Sequence, residues 1–211
     1  MGQVSLTIRQ TRDALLVVAA GMIASEGILS EADRAIGDGD HGVGMARGFT
    51  AVEKKLAENE FSSLSELFIT VGTALMMSIG GASGAIFGTL FREGARNLPA
   101  NEFTSTALSI FLNDGLIAVQ KRGKANPGDK TMLDALFPAA KSAAALIEYP
   151  LDVGLPQVVA AAEVGMEATK NMVASMGRAK TLGERSLGYP DPGAISMLLI
   201  LRFLNEAAQA K

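Results

Sequence analysis

Asp33, Asp38 and Asp40 stand in a D-x4-D-x-D spacing within the stretch ADRAIGDGDHG. Carboxylates this close repel one another unless a cation neutralises them, so the chemistry this spacing offers is an oxygen-ligated divalent site. The competing use is structural, because Asp commonly caps helices and solvates turns. The chain has no cysteine and one histidine, His41. That excludes a disulfide framework, thiolate zinc, iron-sulfur clusters, a cysteine nucleophile and any polyhistidine centre. A metal held here is therefore a hard cation, magnesium or calcium. The EF-hand register fails, since counting from Asp38 puts Gly42 at the fifth position and Phe49 at the twelfth, where a bidentate Glu is required.

Three glycine-rich stretches offer a second kind of chemistry, the cradling of an anion by backbone N–H groups. GDGDHG, from Gly37 to Gly42, spells G-x-G-x-x-G, but a helical pattern precedes it where a dinucleotide fingerprint needs a strand. Its aspartates would repel a pyrophosphate unless metal ions stood between them. RGKANPGDKT is a near miss to the P-loop, with Asp129 inserted between Gly128 and Lys130 and no strand leading in. Gly and Thr131 at a helix start still favour an anion, although a plain Pro-Gly turn with Thr131 as a helix start is by itself the simpler explanation. GGASG, from Gly80 to Gly84, falls short of the G-x-S-x-G elbow. Ser83 as a hydrolytic nucleophile would need His41 as its base, and a small-residue loop admitting an anion is the simpler reading. Arg178 is a phosphate or base contact, or else a charge complementing a helix end, and Asp191 to Gly193 form a turn into the last helix with Pro in its first turn.

Helices must position these groups. Apolar residues recur at three and four, and Ala, Leu, Met, Glu and Lys outnumber strand formers, so the chain reads as all-α with no convincing strand. The pattern predicts eight segments at roughly 5–29, 44–58, 63–79, 84–97, 103–122, 131–148, 155–176 and 193–209. The third carries Leu64, Leu67, Phe68, Val71, Leu75 and Met76 on one stripe, and the last is apolar around most of its circumference, as a helix buried on several sides would be. Connections after even-numbered segments are ordinary polar turns. Every unusual connection follows an odd-numbered one, and most of the 23 glycines lie in or beside these. Antiparallel helices joined in succession would bring all four to one end of a bundle. Carboxylates, amide cradles and an arginine gathered there describe a Mg-nucleotide site built without a P-loop.

The 211 residues, with 48% hydrophobic and 19% charged, suit one domain with its own core. A net charge of -3 without a basic cluster argues against a nucleic-acid binder. The first segment carries Arg9, Arg12 and Asp13 and no cleavage signal, and no apolar run of membrane-spanning length occurs. The expectation is a cytoplasmic protein with neither leader nor membrane contact.

In this order, ADRAIGDGDHG, GGASGAIFGTLF, RGKANPGDKTMLDALFP and GRAKTLGERSLGYPDPGA span essentially the whole chain and resemble the nucleotide-binding L subunit of dihydroxyacetone kinase. The resemblance implies an eight-helix antiparallel up-and-down barrel with ADP or ATP at one rim. It implies that Asp33, Asp38 and Asp40 hold two Mg ions bridging the nucleotide phosphates. It further implies a pocket lined by His41, Gly42, Gly44, Ala82, Ser83, Gly123, Thr131, Met132, Arg178, Asp191, Pro192 and Gly193. Gly44 departs from the family pattern, which usually has Asn there. A separate K subunit, binding the ketose covalently through a histidine, is the implied partner, so this chain would be inactive alone. In the phosphotransferase-dependent branch ADP stays bound and is rephosphorylated by a phosphohistidine protein, the M subunit. In the ATP-dependent branch the nucleotide turns over, and separate subunits also serve other short sugars such as erythrulose. Two other classes compete: a stand-alone metal-dependent phosphatase using the same aspartates, and a non-catalytic ADP-holding regulatory module.

Overall fold

The computed structural model describes residues 4–210. Among these the order is β1 (Ser5–Thr7), α1 (Ile8–Ala24), α2 (Glu26–Ile36), α3 (His41–Glu58), α4 (Leu64–Ser78), α5 (Gly81–Gly94), β2 (Glu102–Thr104), α6 (Ser105–Gly123), α7 (Leu133–Ala145), α8 (Leu151–Ala168) and α9 (Pro192–Gln209), with 3-10 turns at Thr169–Asn171 and Arg178–Ser186 before α9. Helix starts follow from capping chemistry. Thr7 forms a capping box with Gln10, Ser63 accepts from the Glu66 N–H, and Thr104 accepts from the Ala107 N–H.

Eight of the helices close a ring. α1 packs on α3, and contacts pass in order through α4, α5, α6, α7 and α8 to α9, which returns to α1. Successive staves joined by short connections run antiparallel. The sequence pattern merged α1 and α2 into one segment, and the structure separates them at Ser25. There the Ser25 hydroxyl donates to the Gly21 carbonyl at 2.7 Å, and Gly27 follows directly, a pairing that bends helices. α2 turns away by 54° and lies against α3, α9 and residues 178–186 rather than becoming a ninth stave. Asp33 therefore sits on a helix, not in a loop. α8 also differs from expectation: it starts at Leu151, carries Pro156 within it, and ends at Ala168. Residues 169–176 belong to the connection that follows.

Expected as strand-free, the chain contains one antiparallel ribbon, pairing Ser5 with Thr104, Leu6 with Phe103 and Thr7 with Glu102. Three residues per strand are too few for alternation to be legible, and Thr7 and Thr104 double as helix caps. The ribbon links the starts of α1 and α6, which stand across the ring from one another. Beside it lies the aromatic heart of the core, with Phe68 4.9 Å from Phe111 and 5.4 Å from Phe103 between ring centroids. No single helix among the described residues is long and apolar enough to cross a membrane.

Several glycines that the sequence placed near loops serve helix packing instead. A Cβ at Gly88 on α5 would lie 2.7 Å from the Met76 Cβ and 2.8 Å from the Gly72 carbonyl on α4, so backbone approaches backbone there. Gly88→Ala is expected to force α4 and α5 apart and destabilise the fold by about 1–3 kcal/mol. Urea unfolding measures this, and an unshifted midpoint would show that the pair has room to spare.

Candidate functional site

Because staves alternate in direction, α3, α5, α7 and α9 all begin at the same rim. Their starts surround a cleft of about 490 Å3 lined from Asp33, the 37–40 connection, residues 79–83, Thr131, Met132, residues 176–179 and Asp191 to Gly193. A helix start presents N–H groups without intrahelical partners and the positive end of the macrodipole. Four of them facing one space favour an anion.

The three aspartates form one wall. One carboxylate oxygen from each lies within 4.8 Å of the others. Asp40 holds the position preceding α3 yet makes no side-chain capping bond, so helix capping does not occupy its carboxylate. Asp33 Oδ2 accepts the His41 backbone N–H at 3.2 Å, and Asp38 Oδ2 pairs with Arg178 Nη1 at 2.8 Å. All donors are oxygens, and Asp38 and Asp40 are open to water. This suits a hard cation that keeps water among its ligands.

His41 is buried between α3, α5 and α9. Its Nδ1 lies 3.2 Å from Ser83 Oγ and its Nε2 lies 2.8 Å from Ser196 Oγ. Burial lowers its pKa, against the pull of Asp33 and Asp40, and a neutral imidazole with one donor and one acceptor matches two hydroxyls. Ser83 and His41 are thus in contact, but a second hydroxyl, Ser196, occupies the place where a hydrolytic triad needs its carboxylate. Sequence reasoning passed over Arg47, which lines the cleft. Its Nε and Nη2 donate to the Ser78 and Ile79 carbonyls, each at 2.6 Å, tying the end of α4 to α3. The available signal was its spacing, three residues beyond Gly44 and six beyond His41 on one helix face. The turn it holds passes through Gly80 and Gly81 at φ of 80° and 55°, a region that glycine enters without steric cost.

After α6, the connection wraps around the buried carboxylate of Asp134, which accepts the Gly128 N–H at 2.5 Å and the Thr131 N–H at 2.7 Å. The P-loop likeness ends at Lys130. Its side chain turns inward instead of lining the cleft, is 2% exposed, and donates to backbone carbonyls of the 169–191 connection. Burial lowers the Lys130 pKa, with Asp191 and Asp134 opposing. Asp191 caps α9 by accepting the Ala194 N–H at 2.8 Å. Desolvation pushes its carboxyl up to about 7 against that hydrogen bond, with Asp134 adding to the rise and Lys130 and the Gly193 N–H resisting it.

Of the residues singled out from sequence, Asp33, Asp38, Asp40, His41, Gly44, Ala82, Ser83, Thr131, Met132, Arg178, Asp191, Pro192 and Gly193 line the cleft, and Gly42 and Gly123 do not. Gly42 lies beneath α2, where a side chain would collide with the Glu26 carbonyl and Ser30. Gly123 ends α6, and a Cβ there would face Ile86 Cδ1 at 3.2 Å. Gly44 faces Ile79, with space for a Cβ at 3.4 Å.

A family model for the DAK2 domain matches residues 35–206. The chain is 39% identical over 173 residues to the ADP-binding subunit DhaL of PEP-dependent dihydroxyacetone kinase 1 from Listeria innocua, covering 82% of this chain and 83% of the relative. It is 40% identical over 184 residues to the corresponding Escherichia coli DhaL subunit, covering 86% and 88%. The dihydroxyacetone kinase of C. freundii, solved in complex with AMP-PNP and Mg2+, superposes with a TM-score of 0.73 at 25% identity over 98% of this chain. This chain spans 35% of that longer kinase. Sequence and fold agree, and the chain belongs to the DAK2 domain family, alongside the DhaL subunits of dihydroxyacetone kinases.

Proposed function

We propose that this chain is the nucleotide-binding subunit of a dihydroxyacetone kinase, delivering a phosphoryl group from Mg-bound nucleotide to dihydroxyacetone held by a separate K subunit. The observation that carries this reading is the meeting of opposites in one cleft: three carboxylates within 4.8 Å of one another at the start of α3, sharing the cleft with the starts of α5, α7 and α9. The helix starts favour phosphate and the aspartates repel it unless cations stand between, so together they suit a phosphate chain that arrives with its cations. Asp33, Asp38 and Asp40 would hold two Mg ions, which supply charge neutralisation at the transferring phosphoryl.

The protein's own groups position and exclude. Gly81, Ala82 and Ser83 at the start of α5 offer N–H and hydroxyl donors to the phosphates, and before α7 Thr131 offers its hydroxyl, its N–H being held by Asp134, beside Met132. Asp191, Pro192 and Gly193 close the adjoining wall. Arg178, exposed and paired with Asp38, borders the cleft, where its guanidinium would meet charge on the phosphates. No residue of this chain needs to be the nucleophile. We further infer that ADP serves as a bound coenzyme, rephosphorylated by a phosphohistidine M subunit. That reading draws support from the PEP-dependent, ADP-binding names of relatives matched along most of their length. The Gly44 position does not discriminate this from an ATP-exchanging subunit for another short ketose.

Asp38→Ala and Asp40→Ala are each expected to weaken Mg-ADP binding at least about tenfold, with unchanged helix content. Calorimetry with far-UV circular dichroism checks this, and undiminished affinity in both variants would remove the aspartates from the site. Native mass spectrometry of the desalted protein should retain ADP with two Mg. An empty cleft with rapid ATP exchange would favour the ATP-dependent branch, and phosphoester turnover by the isolated chain would favour a hydrolase.

Asp191 adds a pH dependence. Its folded pKa of about 7 lies above the ordinary 3.8, so the folded state keeps a proton that the unfolded chain releases, and stability falls as pH rises between those values. Asp191→Asn keeps an oxygen for the Ala194 N–H and removes the titration. Between pH 4 and pH 8 the variant should gain on the unaltered protein by about 1–3 kcal/mol in unfolding free energy. A difference that does not vary with pH would show that the carboxyl ionises as it does in water.

A further inference from the structure

Lys130 adjoins the cleft residue Thr131, yet its ammonium serves the 169–191 connection. Nζ donates to the carbonyls of Thr169 at 2.7 Å, Tyr189 at 2.7 Å, Ser186 at 2.8 Å and Met172 at 3.1 Å. These four acceptors are spread from one end of the connection to the other, and three N–H groups are shared among them. The backbone at Lys130 adopts φ of 59°, a conformation that costs a non-glycine residue energy and that here turns the side chain inward. Other contacts tie the segment mostly near its ends or to α2: the Gly188 N–H donates to the Lys170 carbonyl at 2.7 Å, the Asp191 N–H donates to Thr169 Oγ1 at 3.0 Å, and residues 178–186 lie against α2. Ala174 is its one buried apolar residue, and its other ties include Ser175 Oγ to Asp129 Oδ1 at 2.6 Å and the Ala174 N–H to Ser186 Oγ at 3.0 Å. This same segment supplies residues 176–179 to the cleft and carries Arg178 to Asp38.

We propose that Lys130 is a positioning residue that holds the 169–191 connection closed over the cleft and thereby sets how slowly a bound nucleoside diphosphate leaves. The dwell-time half of this rests on the function proposed above; the latch itself does not. A lysine suits the task because a compact ammonium can serve carbonyls converging from several directions, whereas the planar fork of arginine cannot. A buried cation without these carbonyls would be unstable, and the carbonyls without the cation would be left unpaired.

Lys130→Met removes the donors at similar volume. In the nucleotide-free protein, amide exchange within 169–191 is expected to rise by about tenfold or more while α4, α5 and α9 keep their protection. With Mg and a fluorescent ADP analogue, dissociation should quicken by a similar factor. Asp129→Cys with Ser175→Cys, the only thiols in a chain that has none, should restore slow release to the Lys130→Met protein when oxidised and not when reduced. Release and exchange within about twofold of the unaltered protein would overturn the proposal, as would a crosslink that restores nothing. Lys130→Gln, which keeps two donors, is read the same way at smaller amplitude. Loss of barrel helix content in both variants would also overturn it, because the lysine would then be supporting the barrel. If the unaltered protein binds no Mg-ADP, the proposed function fails, and amide exchange still decides the latch.

Discussion

An up-and-down ring of helices closes with antiparallel neighbours throughout only when the number of staves is even. This chain meets that constraint with eight staves, because α2 leaves the wall at Ser25 instead of joining it as a ninth. Were α2 to continue the wall, α3 would begin at the opposite end and the four site connections would divide between two rims. The Ser25 hydroxyl bonded to Gly21 and the 54° deflection that follows take one helix out of the count. They also lay it across α3, where Gly42 has no side chain to hold it off. The same deflection brings Asp33, eight residues from the break, to within reach of Asp38 and Asp40.

The cleft is a balance of charge, with no single feature sufficient. The aspartates alone would expel phosphate, and the helix starts alone would expel a metal. His41 is poised between them: its backbone N–H binds Asp33 and its ring reaches Ser83, so the carboxylate wall and the α5 start share one rigid element. Arg47 does the same for the end of α4 through two carbonyls. These contacts fix donors before any ligand arrives, which is where much of the advantage of a preorganised site lies.

Much of this was legible in the sequence because glycine, proline and aspartate announce connections, and their alternation along the chain announces which connections meet. The D-x4-D-x-D spacing located the carboxylates without a structure. What stayed hidden shares a physical character. The ribbon was too short for alternation, and its threonines were equally good caps. The break at Ser25 lay inside an unbroken apolar pattern, since Met22 and Leu29 remain buried on either side. Lys130 resembles a P-loop lysine in sequence because sequence gives a side chain's charge and not its direction. Its inward turn depends on a left-handed backbone and on carbonyls roughly forty to sixty residues away, neither of which leaves a local trace. Gly88, which lies beside a connection in the sequence but packs α5 on α4, resembles a loop glycine until the neighbouring backbone is known.

The ribbon at the far end bears on how the chain is assembled. Residues 5–7 can pair only after residues 102–104 exist, and α1 completes its surroundings only when α9 arrives. Both are contacts between distant parts of the chain, which slow folding relative to a bundle built from neighbours. During synthesis α1 must therefore wait with its apolar face open until α9 emerges, so of these nine helices the one made earliest is among the last to find all its partners.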